Sequence, residues 1–231
     1  MRQSQGEGIL FTLVSLDGQI GYDVQVLDEE ITLDQYLDGL NQMQERYFDQ
    51  CYGCDGCCWE RAPLNGIDIL RYCRALWPDE LTAPYSFFLE HYGHVHNDHG
   101  VLDMMLRRGE NGACIFLEQA KKYCTTHTCR SLVCQSYICI PQTERALELR
   151  RQIVNMGIDD LARRYYLECQ ALGKAMTYHS GEGKMMLSDY PENGFSGKTD
   201  FCEVKLKDVV SKELWQKLCL SSAEEPLMMH P

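Results

Sequence analysis

The sequence predicts an α+β fold, mainly helical, with an N-terminal β-hairpin and an irregular cysteine-rich centre. Three observations carry this. Residues 8–27 alternate with the period of a strand on either side of Asp17-Gly18. Most later stretches repeat their apolar residues at helical spacing. Between them, Cys51-Tyr-Gly-Cys54-Asp-Gly-Cys57-Cys58 places four thiols within eight residues, a density that neither period explains.

In the first segment Ile9, Phe11, Leu13 and Ser15 fall on one strand face, and Ile20, Tyr22, Val24 and Val26 resume the alternation. Asp-Gly suits a two-residue turn whose residues both need positive φ. Thr32 then opens a helix, with Gln35 completing a capping box and Leu33, Leu37, Leu40 and Tyr47 near one stripe. It runs almost to Cys51. Beyond the cysteine loop, Asn65 is a candidate N-cap. Ile67, Leu70, Cys73 and Leu76 follow at helical spacing, and Pro78 ends the run. Cys73 on that stripe reads as a core thiol rather than a ligand. Another helix is expected from Pro84 to about Tyr92.

Four histidines follow, His91, His94, His96 and His99, amid Gly93, Asn97, Asp98 and Gly100. Imidazoles bind transition metals, but this spacing fits no defined site, and the run reads as an exposed turn. Residues 101–108 read as a strand, Asn111-Gly112 as a turn, and 113–117 as the strand that returns with Cys114. Residues 142–172 carry a helical stripe of Ala146, Leu149, Ile153 and Met156, which Gly157 interrupts. A kinked helix or helical hairpin is expected, with Cys169 in its core. Residues 179–200, rich in Gly, Ser and Asp, read as a long surface loop. The Gly-Glu-Gly-Lys within them lacks the spacing of a phosphate loop. A last helix is expected near 208–220. These readings make residues 1–175 a single metal-binding domain. Its cysteine core lies at about 50–140, its hairpin and first helix at 8–47, and its helical support at 142–172. Residues 176–231 add a loop and a helix packed on it.

The net charge is −12, and the acidic residues are spread along the chain. Phosphate backbones need clustered Lys and Arg, so nucleic acid is not an expected partner. No apolar run approaches the roughly 20 residues of a membrane span, and the N-terminus has no signal-peptide pattern. A cytoplasmic protein is expected, with no membrane partner and an unidentified protein partner. Thirteen cysteines without an export signal point to metal rather than disulfides, because the cytosol keeps thiols reduced and an odd number cannot all pair.

Two-residue gaps let successive sulfurs converge, as in zinc knuckles and iron–sulfur loops. Gly53 and Gly56 permit the turns this requires. Cys57 and Cys58 are adjacent, and in an extended chain neighbouring side chains point apart. Either one of them is therefore not a ligand, or they serve different atoms of a cluster or different metals.

The spacing resembles the CxxCxxCC cysteine-cluster family (YkgJ type), a zinc- or iron-chelating family. Cys51, Cys54, Cys57 and Cys58 form its first block, and Asp68-Ile69 stands at its helix motif. Cys114-Ile-Phe-Leu is its Cys-hydrophobic element. Cys124 and Cys134 are its last pair, ten residues apart with Arg130 between them. The resemblance covers roughly residues 50–137. The chain looks like a divergent member: Asp55 stands in place of Gly, Ser131 of Pro and Gln135 of Arg, and Cys129 and Cys139 are additional. The resemblance implies metal ligands at Cys51, Cys54, Cys57, Cys58, Cys114, Cys124 and Cys134. Arg130 is placed to hydrogen-bond cluster sulfur or pair with a ligand thiolate.

Seven thiols exceed the needs of one tetrahedral zinc. They suit a [4Fe–4S] iron–sulfur cluster with spare thiols, or two metal centres. The family is similar to flagellin lysine N-methylases, which are associated with an iron–sulfur cluster. The expected function is thus iron–sulfur cluster binding in a redox or accessory role. The alternatives are a cluster-dependent methyl- or group-transferase and a zinc-stapled protein-interaction module.

Overall fold

The computed structural model describes residues 3–48, 53–77 and 81–221. In chain order its elements are β1 (Gln3–Gly6), β2 (Ile9–Leu16), β3 (Gln19–Val26), α1 (Leu33–Tyr47), α2 (Gly66–Leu76), α3 (Pro84–His91), β4 (Gly93–Asp98) and β5 (Val101–Leu106). Then come β6 (Leu117–Glu118), β7 (Tyr123–Cys124), α4 (Leu132–Gln135), α5 (Glu144–Ala171), β8 (Ser180–Glu182) and α6 (Lys212–Cys219), with short 3-10 turns between them. The fold is α+β, and the N-terminal antiparallel hairpin is present. The chain divides into two compact units. One comprises residues 1–49, 138–153 and 201–231, the other 50–137 and 154–200.

In the first unit β1, β2 and β3 form an antiparallel meander. Asp17 and Gly18 both take positive φ, 49° and 78°, as the two-residue turn requires. β1 is a strand the alternation did not reveal. Thr32 and Gln35 form the reciprocal capping box at α1. The helix buries Leu33, Tyr36, Leu37, Leu40 and Met43. Gly39 lets it lie close on the sheet, since a Cβ there would come within 2.8 Å of the Phe11 ring. Asp23 on β3 and Arg145 at the start of α5 form an ion pair whose side chains are only 4% and 2% exposed. Arg145 also donates to the carbonyls of Lys217 and Leu220, both at 2.9 Å, and so holds the end of α6. That helix is capped by Ser211 and buries Leu214 and Leu218.

The second unit is built on a sheet ordered β5-β4-β8. Here the structure departs from the expected strand pairing. β5 pairs not with residues 113–117 but with the histidine run, which is a strand. The alternation explains it: Gly93, Val95 and Asn97 are buried, whereas His94 and His96 lie on the other face. His99 and Gly100, at φ 51° and 93°, make the tight turn. Only an isolated bridge, Arg108 to Cys114, remains of the expected hairpin.

The core of this unit is aromatic. Tyr72 of α2 stacks between Phe88 and Phe116, each at 5.2 Å, and Phe116 continues onto Tyr92 at 5.8 Å. Cys73 and Cys169 are buried in this core, as their helical stripes predict.

α5 is one uninterrupted helix through Gly157. The glycine is a packing residue rather than a break, since a Cβ there would stand 2.9 Å from the Asn65 Cβ. Residues 179–200 are more than a surface loop. Their β8 joins the sheet in parallel with β4, and Met185, Tyr190 and Phe195 are buried. Among the described residues no helix is long and apolar enough to cross a membrane.

Candidate metal centre

The centre is built from four separated stretches of the second unit. Cys51 lies outside the described residues. Gly53 takes φ 81°, and a 3-10 turn over Gly56–Trp59 carries Cys57 and Cys58. Asp55 supports this turn twice. Its carbonyl accepts from Cys58 N at 2.9 Å, and its carboxylate accepts from Trp59 Nε1 at 3.3 Å. The following segment runs beside β5, through Leu64 N to Met104 O and Leu106 N to Ala62 O, both 2.9 Å. The turn is thereby mounted on the sheet.

Cys114 joins the turn directly, since its N–H donates to the Cys58 carbonyl at 2.8 Å. Arg108 reinforces the junction by donating to the carbonyls of Trp59 (2.6 Å) and Gly112 (2.7 Å). Cys124 ends β7, opposite Leu117 of β6. Its Sγ is 3.5 Å from Thr126 Oγ1.

Cys134 lies on the single turn α4, whose own N-cap, Ser131, makes no side-chain cap bond. α2 supplies the missing acceptors. Tyr72 Oη accepts from Ser131 N at 3.0 Å, and Asp68 Oδ1 accepts from Leu132 N at 2.7 Å. Asp68 Oδ2 also completes the capping box of α2, accepting from Asn65 N at 3.1 Å. Residues 68 and 72 are one helical turn apart and share a face. One helix face therefore catches two consecutive N–H groups and fixes the Cys134 turn. Burial raises the Asp68 carboxyl to about 7 despite these donors.

The four stretches bring Cys57, Cys58, Cys114, Cys124 and Cys134 into one neighbourhood. Cys58 is within electrostatic reach of Cys57, Cys114 and Cys124, and Cys134 within reach of Cys57 and Cys114. Cys129 neighbours Cys124 and Arg71. Cys57 and Cys58 are not splayed apart as an extended chain would require. The 3-10 turn brings their thiols into hydrogen-bond contact. The bond from Cys58, followed by the Arg130 charge, lowers the Cys57 thiol to about 6, against the opposing effect of burial. The same bond raises Cys58. Burial raises Cys114 and Cys129, and pushes Cys134 up to about 12.

Cys54 is exposed, and Cys139 is an exposed thiol of the other unit. Among the described residues no three His, Cys, Asp or Glu side chains stand around a common ion position. Sequence reasoning singled out the thiols and Arg130. It missed the supporting roles of Asp68, Tyr72 and Arg108, although the Asn65-x-x-Asp68 capping box was there to be read.

Residues 50–153 match the model of the CxxCxxCC family, described as "Putative zinc- or iron-chelating domain". This stretch is similar to CxxCxxCC domains. It contains every thiol of the neighbourhood, and the family's description supports metal binding, zinc or iron. No curated protein and no solved structure matches the chain.

Proposed function

We propose that this protein binds a [4Fe–4S] cluster through cysteine thiolates and serves a redox or accessory role. The observation that carries the reading is that five thiols from four stretches of chain lie in one electrostatic neighbourhood. Tetrahedral zinc needs at most four ligands. Five neighbouring thiols, with Cys51, Cys54 and Cys129 close in sequence to them, exceed that number and suit a four-thiolate cluster with spare thiols. The ligand set is drawn from Cys51, Cys54, Cys57, Cys58, Cys114, Cys124 and Cys134.

The donor chemistry fits such a group. Cys114 and Cys134 are held protonated by burial, and a cation in their place removes that penalty by replacing the protons. Arg130 already stabilises the Cys57 thiolate, and its guanidinium can donate hydrogen bonds to sulfur and tune the site. Asp68 and Tyr72 hold Cys134 in position, and Arg108 holds Cys114. When bound, the cluster supplies one-electron chemistry.

Anaerobic purification followed by iron, zinc and sulfide analysis tests this. About four iron and four sulfide per chain, with visible colour that bleaches on reduction, is the expected result. One or two zinc per chain in a colourless protein overturns it in favour of a zinc site. Cys54→Ser and Cys124→Ser are each expected to lose metal, and a variant that stays loaded and stable removes its cysteine from the ligand set. His96→Ala should leave metal content unchanged.

A further inference from the structure

The histidines at 91–99 lie on α3, on β4 and in the turn after it, outside the four thiol-bearing stretches. β4 places His94 and His96 on one face, and the parallel register sets Ser180 beside His96. Ser180 Oγ lies 3.0 Å from both His94 Nε2 and His96 Nδ1. A hydroxyl has one proton, so it donates to one ring and accepts from the other, and the three groups satisfy one another.

His179, next to this trio, is different. Its Nδ1 accepts from the Val95 N–H at 2.9 Å. An accepting ring nitrogen carries no proton, so the neutral ring holds its proton on Nε2. Yet Nε2 lies 3.4 Å from Arg107 Nη2, and guanidinium nitrogens only donate. Two donors therefore face each other. Neither is free to turn away. Arg107 is pinned by the carbonyls of Glu90 (2.6 Å) and Gly93 (3.2 Å). His179 is pinned by Val95 and by the His94 ring, stacked at 5.4 Å.

The charged groups around the pair are mostly basic. Arg107 and Glu90 face His179, while His96, Arg107 and Arg61 face His94. Asp103 of β5 is taken by Arg61. Burial first, then Arg107, holds His179 below the ordinary imidazole range, so the neutral ring is the one present near neutrality.

We propose that His179 and Arg107 bind a small oxyanion, a carboxylate or a phosphate. One anionic oxygen accepting from both Nε2–H and Nη2–H resolves the opposed donors, and bonds to a charged group are the stronger kind. The donors flank the sheet, Arg107 just after β5 and His179 just before β8, and backbone contacts hold both, which keeps the geometry preorganised. Metal is not the expected ligand, because the protonated Nε2 and the guanidinium both donate and neither offers a lone pair to a cation.

The test titrates inorganic phosphate and, separately, acetate into the metal-loaded full chain at constant ionic strength, following the histidine ring protons by NMR. The His179 signals should shift saturably with a dissociation constant of order 1 mM. The tighter of the two anions identifies the class. His179→Phe, with its fold checked by circular dichroism, should weaken binding about tenfold or more, the worth of a lost charge-assisted bond. His96→Gln should leave it within about twofold, because His96 is tied to Ser180 rather than to the pair. Three results each overturn the proposal. These are no saturable shift in the wild type, equal loss in His96→Gln, or binding that appears only in acid, where imidazolium charge rather than the fixed tautomer attracts the anion.

Discussion

The two compact units solve the same problem, fixing a chain in place, by opposite means. The first relies on regular elements: a three-stranded meander, a capped helix across it, and one buried ion pair, Asp23–Arg145. The thiol region of the second has two-residue strands, 3-10 turns and a four-residue helix. Such pieces have few ladder bonds of their own. They are held by side chains reaching backbone, namely Asp68, Tyr72 and Arg108. A regular element is stable once its apolar face is covered, whereas an irregular one needs a fastener at each turn. A centre that depends on a bound group can be built the second way, because the group itself is the last fastener.

The largest expected effect separates the units outright. Removing the metal with a chelator, or making Cys134→Ser, should collapse hydrogen-exchange protection at Cys114, Ser131 and Leu132. The amides of β2 and β3 should keep theirs. Structural metal sites contribute about 10 kcal/mol or more of apparent binding energy that appears as folding energy. Equal loss in both units would show that the thiol region is no less self-sufficient than the meander.

The converse perturbation comes next. Asp23→Ala leaves the Arg145 guanidinium buried without its carboxylate, and breaking such a pair costs about 3–5 kcal/mol. Urea unfolding should show this loss, while metal content at low urea stays at the wild-type level. A metal loss matching the stability loss would show that the two units are not energetically separate.

Legibility in the sequence follows the same divide. The hairpin was readable because Asp17-Gly18 lies between two period-two runs, and α1 because its capping box and stripe agree. Such signals are local, spanning a few residues each. The histidine strand was misread for the opposite reason. Polar histidines and asparagine hide the alternation, and the burial of Asn97 depends on contacts made 86 residues away, where its Nδ2 donates to the Gly183 carbonyl. Gly157 looked like a helix break, because the neighbour that requires it, Asn65, is distant in sequence. In the site the thiols could be singled out by density and spacing. The 3-10 turn that brings Cys57 to Cys58 could not, since two adjacent residues give no period to read. Nor could the role of Tyr72, because a tyrosine on an apolar helical face looks like any other core residue until its hydroxyl is seen to accept from Ser131.

A smaller effect sharpens the account of the fasteners. Asp68→Ala leaves the Asn65 cap of α2 in place but removes the acceptor of the Asn65 N–H, worth about 1 kcal/mol. It also strands the buried Leu132 N–H, worth about 1–3 kcal/mol. The sum, about 2–4 kcal/mol, should appear in urea unfolding together with partial loss of metal, because the Cys134 turn loses its anchor. Asp68→Asn keeps an acceptor at Oδ1 and should recover part of both. If Asp68→Ala lost stability but kept full metal occupancy, the carboxylate would be a helix cap without a role in placing the thiol.

The smallest expected effect belongs to the regular unit and lies at its surface. Glu30 accepts from Lys205 and Lys207, and their hydrogen bonds and charges lower its carboxyl to about 2. A carboxyl lowered on folding stabilises above its unfolded value, and that contribution is lost as pH falls through the folded value. The window therefore runs from the ordinary carboxylate range near 4.5 down to about 2. All three groups are solvent-accessible, so screening by water and salt leaves little net energy. Glu30→Gln should lower the thermal midpoint only slightly at neutral pH, by an amount that shrinks further in high salt, and it should flatten the stability curve within that acid window. A variant that loses as much as Asp23→Ala would mean that the surface ion pairs hold this unit together as much as the buried one does.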